Sequence, residues 1–225
     1  MRPTSALHPA LPWAGPFIVF VALLAVMPRL DLSPRISLSL WVALTGAAIL
    51  LMSREILEFR PVMPVQSALV GVGVFCLWVA PDLLSPGWRS HWIFQNALTG
   101  NLSTSLPAAA LSDPLALSLR VLRAVVIVPI VEELFWRGWL MRYLVKPDFL
   151  SVRLGTFTAV SFWSVAALFA LEHGPYWDVG LLAGAVYNGW LVRSKRVSDL
   201  ILAHAVTNAC LCAFVLATGR WEYWL

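Results

Sequence analysis

Charge is scarce in this 225-residue chain: Asp, Glu, Lys and Arg together make up 12% of it, about half the share of an ordinary soluble domain. That shortage excludes a typical water-soluble globule. The 16 Lys and Arg against 12 Asp and Glu leave a formal charge of +4. They are scattered over short loops and form no run or stripe, so nucleic acid is not an expected partner. Cysteine is also sparse. Cys76, Cys210 and Cys212 all lie inside apolar runs, and the last two sit about 200° apart around a helix, which excludes a disulfide framework or a zinc ribbon. There is no HExxH, no internal repeat, no low-complexity tract and no separate soluble domain. The apolar stretch Phe17 to Met27 has the length of a signal-peptide core. The following "AVMPRL" puts proline and arginine where cleavage needs small residues, so an uncleaved first span is expected.

What the chain has in abundance is apolar surface, with 60% hydrophobic residues and a mean hydropathy of +0.78. Runs of roughly 20 apolar residues recur, each long enough to cross a ~30 Å hydrocarbon layer as a helix. The expected fold is an all-α, polytopic integral membrane bundle of about seven transmembrane helices, over 12–28, 36–53, 62–80, 115–141, 154–173, 178–193 and 198–218. Residues 1–114 read as N-terminal transmembrane helices with an interfacial loop, and 115–225 as the core that carries the site, within a single membrane domain. The one long connection, 81–113, mixes Pro, Gly, Ser and Asn with Trp88, Trp92 and Phe94, and reads as an interfacial loop with a short amphipathic piece. Arg2, Arg54, Arg60, Arg142, Lys146, Arg153, Arg193, Lys195 and Arg196 fall on one side of that topology. Arg29, Arg35, Arg89 and Arg220 fall on the other, which predicts a cytoplasmic N-terminus. Arg120 and Arg123, near the start of the fourth span, do not decide the orientation.

Against this background, ionisable groups inside the spans need a reason, because each costs roughly 2.5–3.5 kcal/mol at the bilayer centre even on a lenient scale. The stretch "PIVEELFWRGWL", Pro129 to Leu140, carries three. Glu133 and Arg137 are spaced i,i+4 and share a helical face, where they can pair. Glu132 lies about 100° around the helix without that partner, the setting of a carboxylate free to take a proton. A buried polar clamp between helices would account for the three equally well. "LFALEHGPYW" puts His173 at the end of the fifth span, with Phe169 one turn earlier and Glu172 beside it, and "LILAHAVTNAC" puts His204 and Asn208 at i,i+4 on the seventh. One shared polar cavity accounts for all of these more economically than six independent structural roles. The sixth span carries Gly180, Gly184 and Asn188 on one face, a stripe suited to close helix packing, with Asn188 placed to face the cavity.

The ordered set EExxxR (Glu132, Glu133, Arg137), FxxxH (Phe169, His173) and HxxxN (His204, Asn208) resembles the CPBP intramembrane proteases, the CAAX-processing and bacteriocin-processing family related to the type II CAAX prenyl endopeptidase. The likeness runs over roughly residues 115–218, and the surrounding text is similar to a bacterial subgroup linked to exosortase-type sorting systems. The resemblance implies an endopeptidase in a bacterial plasma membrane that hydrolyses a peptide bond near the C-terminal tail or anchor of a membrane-associated protein. It casts Glu132 as general base, His173 as holder of the attacking water, Glu133 and Arg137 as supports, and His204 and Asn208 as oxyanion donors. Phe169 and Asn188 become candidate substrate contacts. The expected partners are a protein or peptide substrate and the lipid bilayer.

No cofactor is expected, although Glu132, His173 and His204 are of the types that could ligate zinc with an open position for water. Two other classes fit parts of the pattern: a non-catalytic membrane protein that binds a peptide tail, such as an immunity protein, and a proton-coupled carrier using Glu and His as a relay. On the expected topology His173 lies at the outer end of its helix and His204 only about 9 Å in from the inner side. The two meet only if helices five to seven are broken or tilted, and "EHGPYWD" holds Gly174 and Pro175 where a break would fall.

Overall fold

The computed structural model describes residues 8–224, so Arg2 of the charge count lies outside the described residues. Seven helices of 14 residues or more follow one another: α1 (Leu11–Arg29), α2 (Pro34–Ser53), α3 (Pro64–Leu84), α4 (Pro114–Tyr143), α5 (Ala159–Glu172), α6 (Trp177–Ser194) and α7 (Val197–Thr218). No strand forms among the described residues, where Asn96 and Gly100 make an isolated bridge. The all-helical membrane bundle is as expected.

The individual crossings differ from expectation. Five helices, α1 to α4 and α7, are long and apolar enough to span a membrane. α5 has 14 residues, about 21 Å at 1.5 Å per residue and short of the ~30 Å core. α6 reaches 18 residues, but Asp178, Asn188 and Arg193 dilute its apolar character, and it is not among those five. α5 and α6 pack on each other along the glycine stripe: a Cβ on Gly184 would lie 3.0 Å from Ala166 Cα, and one on Gly180 3.2 Å from Ala170 Cα. α5 starts at Ala159 instead of 154, and at its C-terminal end the half-buried His173 has its ring 4.5 Å from that of Phe169, which lies 6.3 Å from the His204 ring.

α3 runs on to Leu84, so the connection to α4 is 85–113 and holds only 3-10 turns, at Trp88–Ser90 and Ala108–Ala110, in place of the expected amphipathic piece. It folds over the α5–α6 corner. Arg89, 3% exposed, donates to the Pro175 carbonyl and to Asp178 (both 2.7 Å) and to Asp82 (3.0 Å), with its guanidinium 4.1 Å from the Tyr176 ring centre. Asp113 then caps α4, accepting from the Leu115 and Ala116 amides. A hydrogen bond from Arg35 of α2 holds its carboxyl below the usual carboxylate range.

Two devices fix α3 against α7. Asp199 is fully buried in the first turn of α7 and accepts from the Met63 amide (2.7 Å), the Val62 amide (3.1 Å) and the Ser67 hydroxyl (3.0 Å). Those bonds satisfy donors that the start of α3 cannot pair internally. Further along, the helices touch backbone to backbone at Gly71, where a Cβ would sit 2.3 Å from the Ala203 carbonyl oxygen. The three cysteines are free, with Cys76 exposed and Cys212 buried.

Candidate active site

α4 is not uniformly α-helical. Its backbone widens to π geometry over Arg123–Ile127 and again over Leu134–Leu140, on either side of an α-helical stretch ending at Glu132 and Glu133. Proline explains the first widening. In the π register the Val128 amide donates to the Arg123 carbonyl, and the Ala124 carbonyl would take its hydrogen from residue 129, which is proline and has none. That orphan carbonyl inside a membrane helix needs a donor. Asn208 supplies it from α7, with Nδ2 2.7 Å from the Ala124 oxygen. One N–H of the Asn208 amide is thereby committed, and the second remains.

The second widening surrounds Arg137. This guanidinium is fully buried, donates from Nε to Asn188 Oδ1 (2.9 Å) and from Nη1 to Glu133 Oε1 (3.2 Å), and lies 4.4 Å from the centre of the Phe169 ring. Asn188 completes the bridge by donating to the Phe162 carbonyl at 2.7 Å. Glu133, also fully buried, accepts at the same Oε1 from His204 Nδ1 at 2.8 Å. A carboxylate can only accept from Nδ1–H, so the free position on His204 is Nε2. The His204 ring is clamped from one face by Tyr187, stacked at 5.2 Å. Tyr187 in turn donates to Thr207 Oγ1 (2.7 Å), whose hydroxyl reaches the Gly71 carbonyl (2.8 Å) at the α3–α7 contact.

A cavity of about 290 Å³ opens beside this framework. Glu132, Phe169, His173, His204 and Asn208 all line it, together with Glu172, Tyr187, Trp78, Arg120 and Arg123. Glu132 is 5% exposed, and its Oε2 has no hydrogen-bond partner among the described residues. His173 Nδ1 lies 2.7 Å from the Phe169 carbonyl. A carbonyl accepts only, so Nδ1 carries the proton and Nε2 keeps a lone pair. Glu172 is held by the Trp136 indole N–H at 3.1 Å.

Of the eight residues singled out in the sequence, five border the cavity, while Glu133, Arg137 and Asn188 stand behind its wall. Asn188 does not face the cavity as expected: it is completely buried, and both ends of its amide are engaged. Sequence reasoning passed over Glu172, a second carboxylate in the wall, although it adjoins His173. It also left Arg123 as a charge of undecided topology. The signal for Arg123 was its position inside an apolar span, the same argument that picked out Glu132.

Among the described residues no group of three or more His, Cys, Asp or Glu side chains is gathered closely enough to hold a metal ion. Two adjacent carboxylates differ in standing: Glu133 is held at Oε1 by Arg137 and His204 behind the wall, and Glu132, with no such partner, borders the cavity together with the His173 and His204 rings. Such a set can accept a proton from one group and offer hydrogen bonds from others.

Residues 114–210 match the family model described as "Type II CAAX prenyl endopeptidase Rce1-like". The matched stretch begins with α4 and ends in α7, so it contains every motif residue that builds this site. Neither the curated proteins nor the solved structures contain a match to the chain.

Proposed function

We propose that this chain, whose residues 114–210 match the Rce1-like family model, is a CAAX-type membrane peptide hydrolase of the CPBP family and cuts its substrate with water activated by Glu132. The observation that carries the reading is the division of labour between adjacent glutamates: Glu133 is held at Oε1 by Arg137 and His204 behind the cavity wall, whereas Glu132 borders the cavity and has no side-chain hydrogen bond or ion pair among the described residues.

In this reading a water hydrogen-bonded to Glu132 and to the Nε2 lone pair of His173 attacks the carbonyl carbon of the scissile bond, and Glu132 takes its proton. The oxygen of that carbonyl becomes the oxyanion. His204, as the imidazolium paired with Glu133, donates to it from Nε2, and the remaining N–H of Asn208 donates beside it. Each such donor is commonly worth about 10²–10³ in rate. Collapse breaks the C–N bond, and the proton held by Glu132 passes to the leaving amine. Phe169 packs on Arg137 and forms part of the floor on which the substrate lies. The reaction is written without a metal: Glu133 engages the Nδ1 face of His204, and Asn208 suits an oxyanion better than a coordination shell. Full activity after exhaustive chelation is expected, and activity lost on chelation and restored by zinc would refute it.

The substrate of this reading is a membrane-associated protein cut near its C-terminal tail, in a bacterial plasma membrane with the N-terminus of the protease cytoplasmic. The test follows tagged membrane proteins bearing candidate C-terminal signals in cells that express wild type, Glu132→Ala or His204→Ala at equal membrane abundance. Processing by wild type and by neither variant is the expected result. Processing that persists in both would remove the chemistry from Glu132 and His204.

A further inference from the structure

Arg123 has no part in the chemistry above, yet it is the kind of group a membrane helix does not keep without cause. It is 5% exposed and begins the first widened turn of α4. It lines the same cavity as Glu132. Among the described residues no carboxylate lies within ion-pair distance of it, and its buried Nε has no hydrogen-bond partner. What holds the guanidinium is the face of Trp41, 3.8 Å away, which orients a cation without neutralising it. Arg120, one turn earlier, lines the cavity too and adds positive charge to that end. The acidic groups of the cavity, Glu132 and Glu172, belong to the other end.

An arginine that lines a cavity and has no ion pair with the protein among the described residues is a receptor for an anion that arrives with the ligand. We propose that Arg123 binds the free C-terminal carboxylate of the substrate and so sets how far from the chain end the protease cuts. Arg123 and Glu132 are nine residues apart on α4, about 13 Å of helix rise. An extended peptide covers that in about four residues at ~3.3 Å each. A carboxylate on Arg123 therefore lays a bond a few residues upstream against Glu132. The cleaved fragment leaves with its carboxylate and a new amine, and the remaining protein keeps the new carboxylate. This assignment rests on the proteolytic reading for its consequence but not for its binding step.

The test measures binding and cutting separately. The probe is a palmitoylated apolar tetrapeptide, Ala-Val-Ala-Leu, as free acid and as C-terminal amide. It is titrated into wild type, Glu132→Gln, Arg123→Gln and Arg123→Lys, each reconstituted in phosphatidylcholine nanodiscs and verified as monodisperse. A hydrogen-bonded charge pair of this kind corresponds to roughly a tenfold to hundredfold difference in Kd. The acid should outbind the amide by that factor on wild type and Glu132→Gln, lose the advantage on Arg123→Gln, and regain part of it on Arg123→Lys. Equal binding of acid and amide to wild type overturns the proposal, as does an acid preference that survives in Arg123→Gln. If phosphatidylglycerol in the disc abolishes the acid preference at constant ionic strength, Arg123 is a lipid-headgroup site and the carboxylate assignment falls. Acid-selective binding through Arg123 by a protein that cleaves no tail in cells would leave this subsite standing and refute the protease reading alone.

Discussion

The pairing of Asn208 with the Ala124 carbonyl makes a prediction that separates structure from catalysis at one residue. Replacing Asn208 by Val removes the donor that satisfies a carbonyl orphaned by Pro129. An unsatisfied buried carbonyl costs about 1–3 kcal/mol, while interhelical hydrogen bonds in membranes average nearer ~0.6 with a maximum of about 1.7. A loss of about 1–2 kcal/mol is therefore expected from Asn208→Val. Pro129→Ala restores an N–H at residue 129, and a relaxed turn would let the Val128 amide reach Ala124 instead. Either route satisfies the carbonyl without Asn208. Pro129→Ala also has its own effect on helix stability, up to about 3 kcal/mol, so the informative quantity is the cycle. Asn208→Val should cost about 1–2 kcal/mol in the native background and close to nothing with Pro129→Ala, measured by reversible unfolding in mixed micelles. Activity should behave otherwise. The second N–H of Asn208 is the proposed oxyanion donor, so turnover should fall by about 10²–10³ in both backgrounds. Equal stability costs in the two backgrounds would refute the orphan-carbonyl account. Turnover that recovers along with stability would show that Asn208 acts only by holding α4 to α7.

Arg137→Met should lower stability by about 3–5 kcal/mol, because it leaves the fully buried Glu133 without its arginine. Asn188→Ala, which breaks hydrogen bonds of ordinary strength, should cost less in the same unfolding assay, and the reverse ranking would refute the ion-pair account. Asp199→Ala should cost about 1–2 kcal/mol by uncapping α3, seen as faster amide exchange at Val62 and Met63 and missing if water replaces the carboxylate. Gly71→Ala must push α3 off the Ala203 backbone. Overpacking of this kind costs about 1–3 kcal/mol, and a substitution tolerated without change in unfolding midpoint would show that the contact is looser than the 2.3 Å approach implies.

The helices α1 to α4 and α7 were legible because apolar runs of membrane length survive any rearrangement of neighbours, and the candidate residues stood out because charge inside such runs is rare enough to count. What stayed hidden was length in three dimensions. Apolar content alone extended the fifth span back to residue 154, and only the Thr158 cap, which accepts from the Ser161 amide, marks where α5 begins. With the shorter helix, His173 and His204 border one cavity, which the expected spans did not bring together.

Asn188 shows the complementary limit of a single sequence. Its place on a small-residue stripe fitted either helix packing or a cavity, and the choice depended on which carbonyls and guanidinium α5 and α4 would bring to it. Arg137 and the Phe162 carbonyl take both ends of its amide, and no periodicity in α6 encodes that. Asn208 shared this ambiguity in another form. Its HxxxN spacing placed it beside His204 correctly, but its partner was fixed by a proline on a different helix. Pro129 removes a backbone hydrogen, the helix widens, and a carbonyl is left facing α7. The same widened turn begins with Arg123, which lines the cavity. One residue without an N–H thus bears on both the proposed oxyanion donor and the proposed chain-end cation, and Pro129→Ala should shift the acid preference of the tetrapeptide probe as well as the stability cost of Asn208→Val.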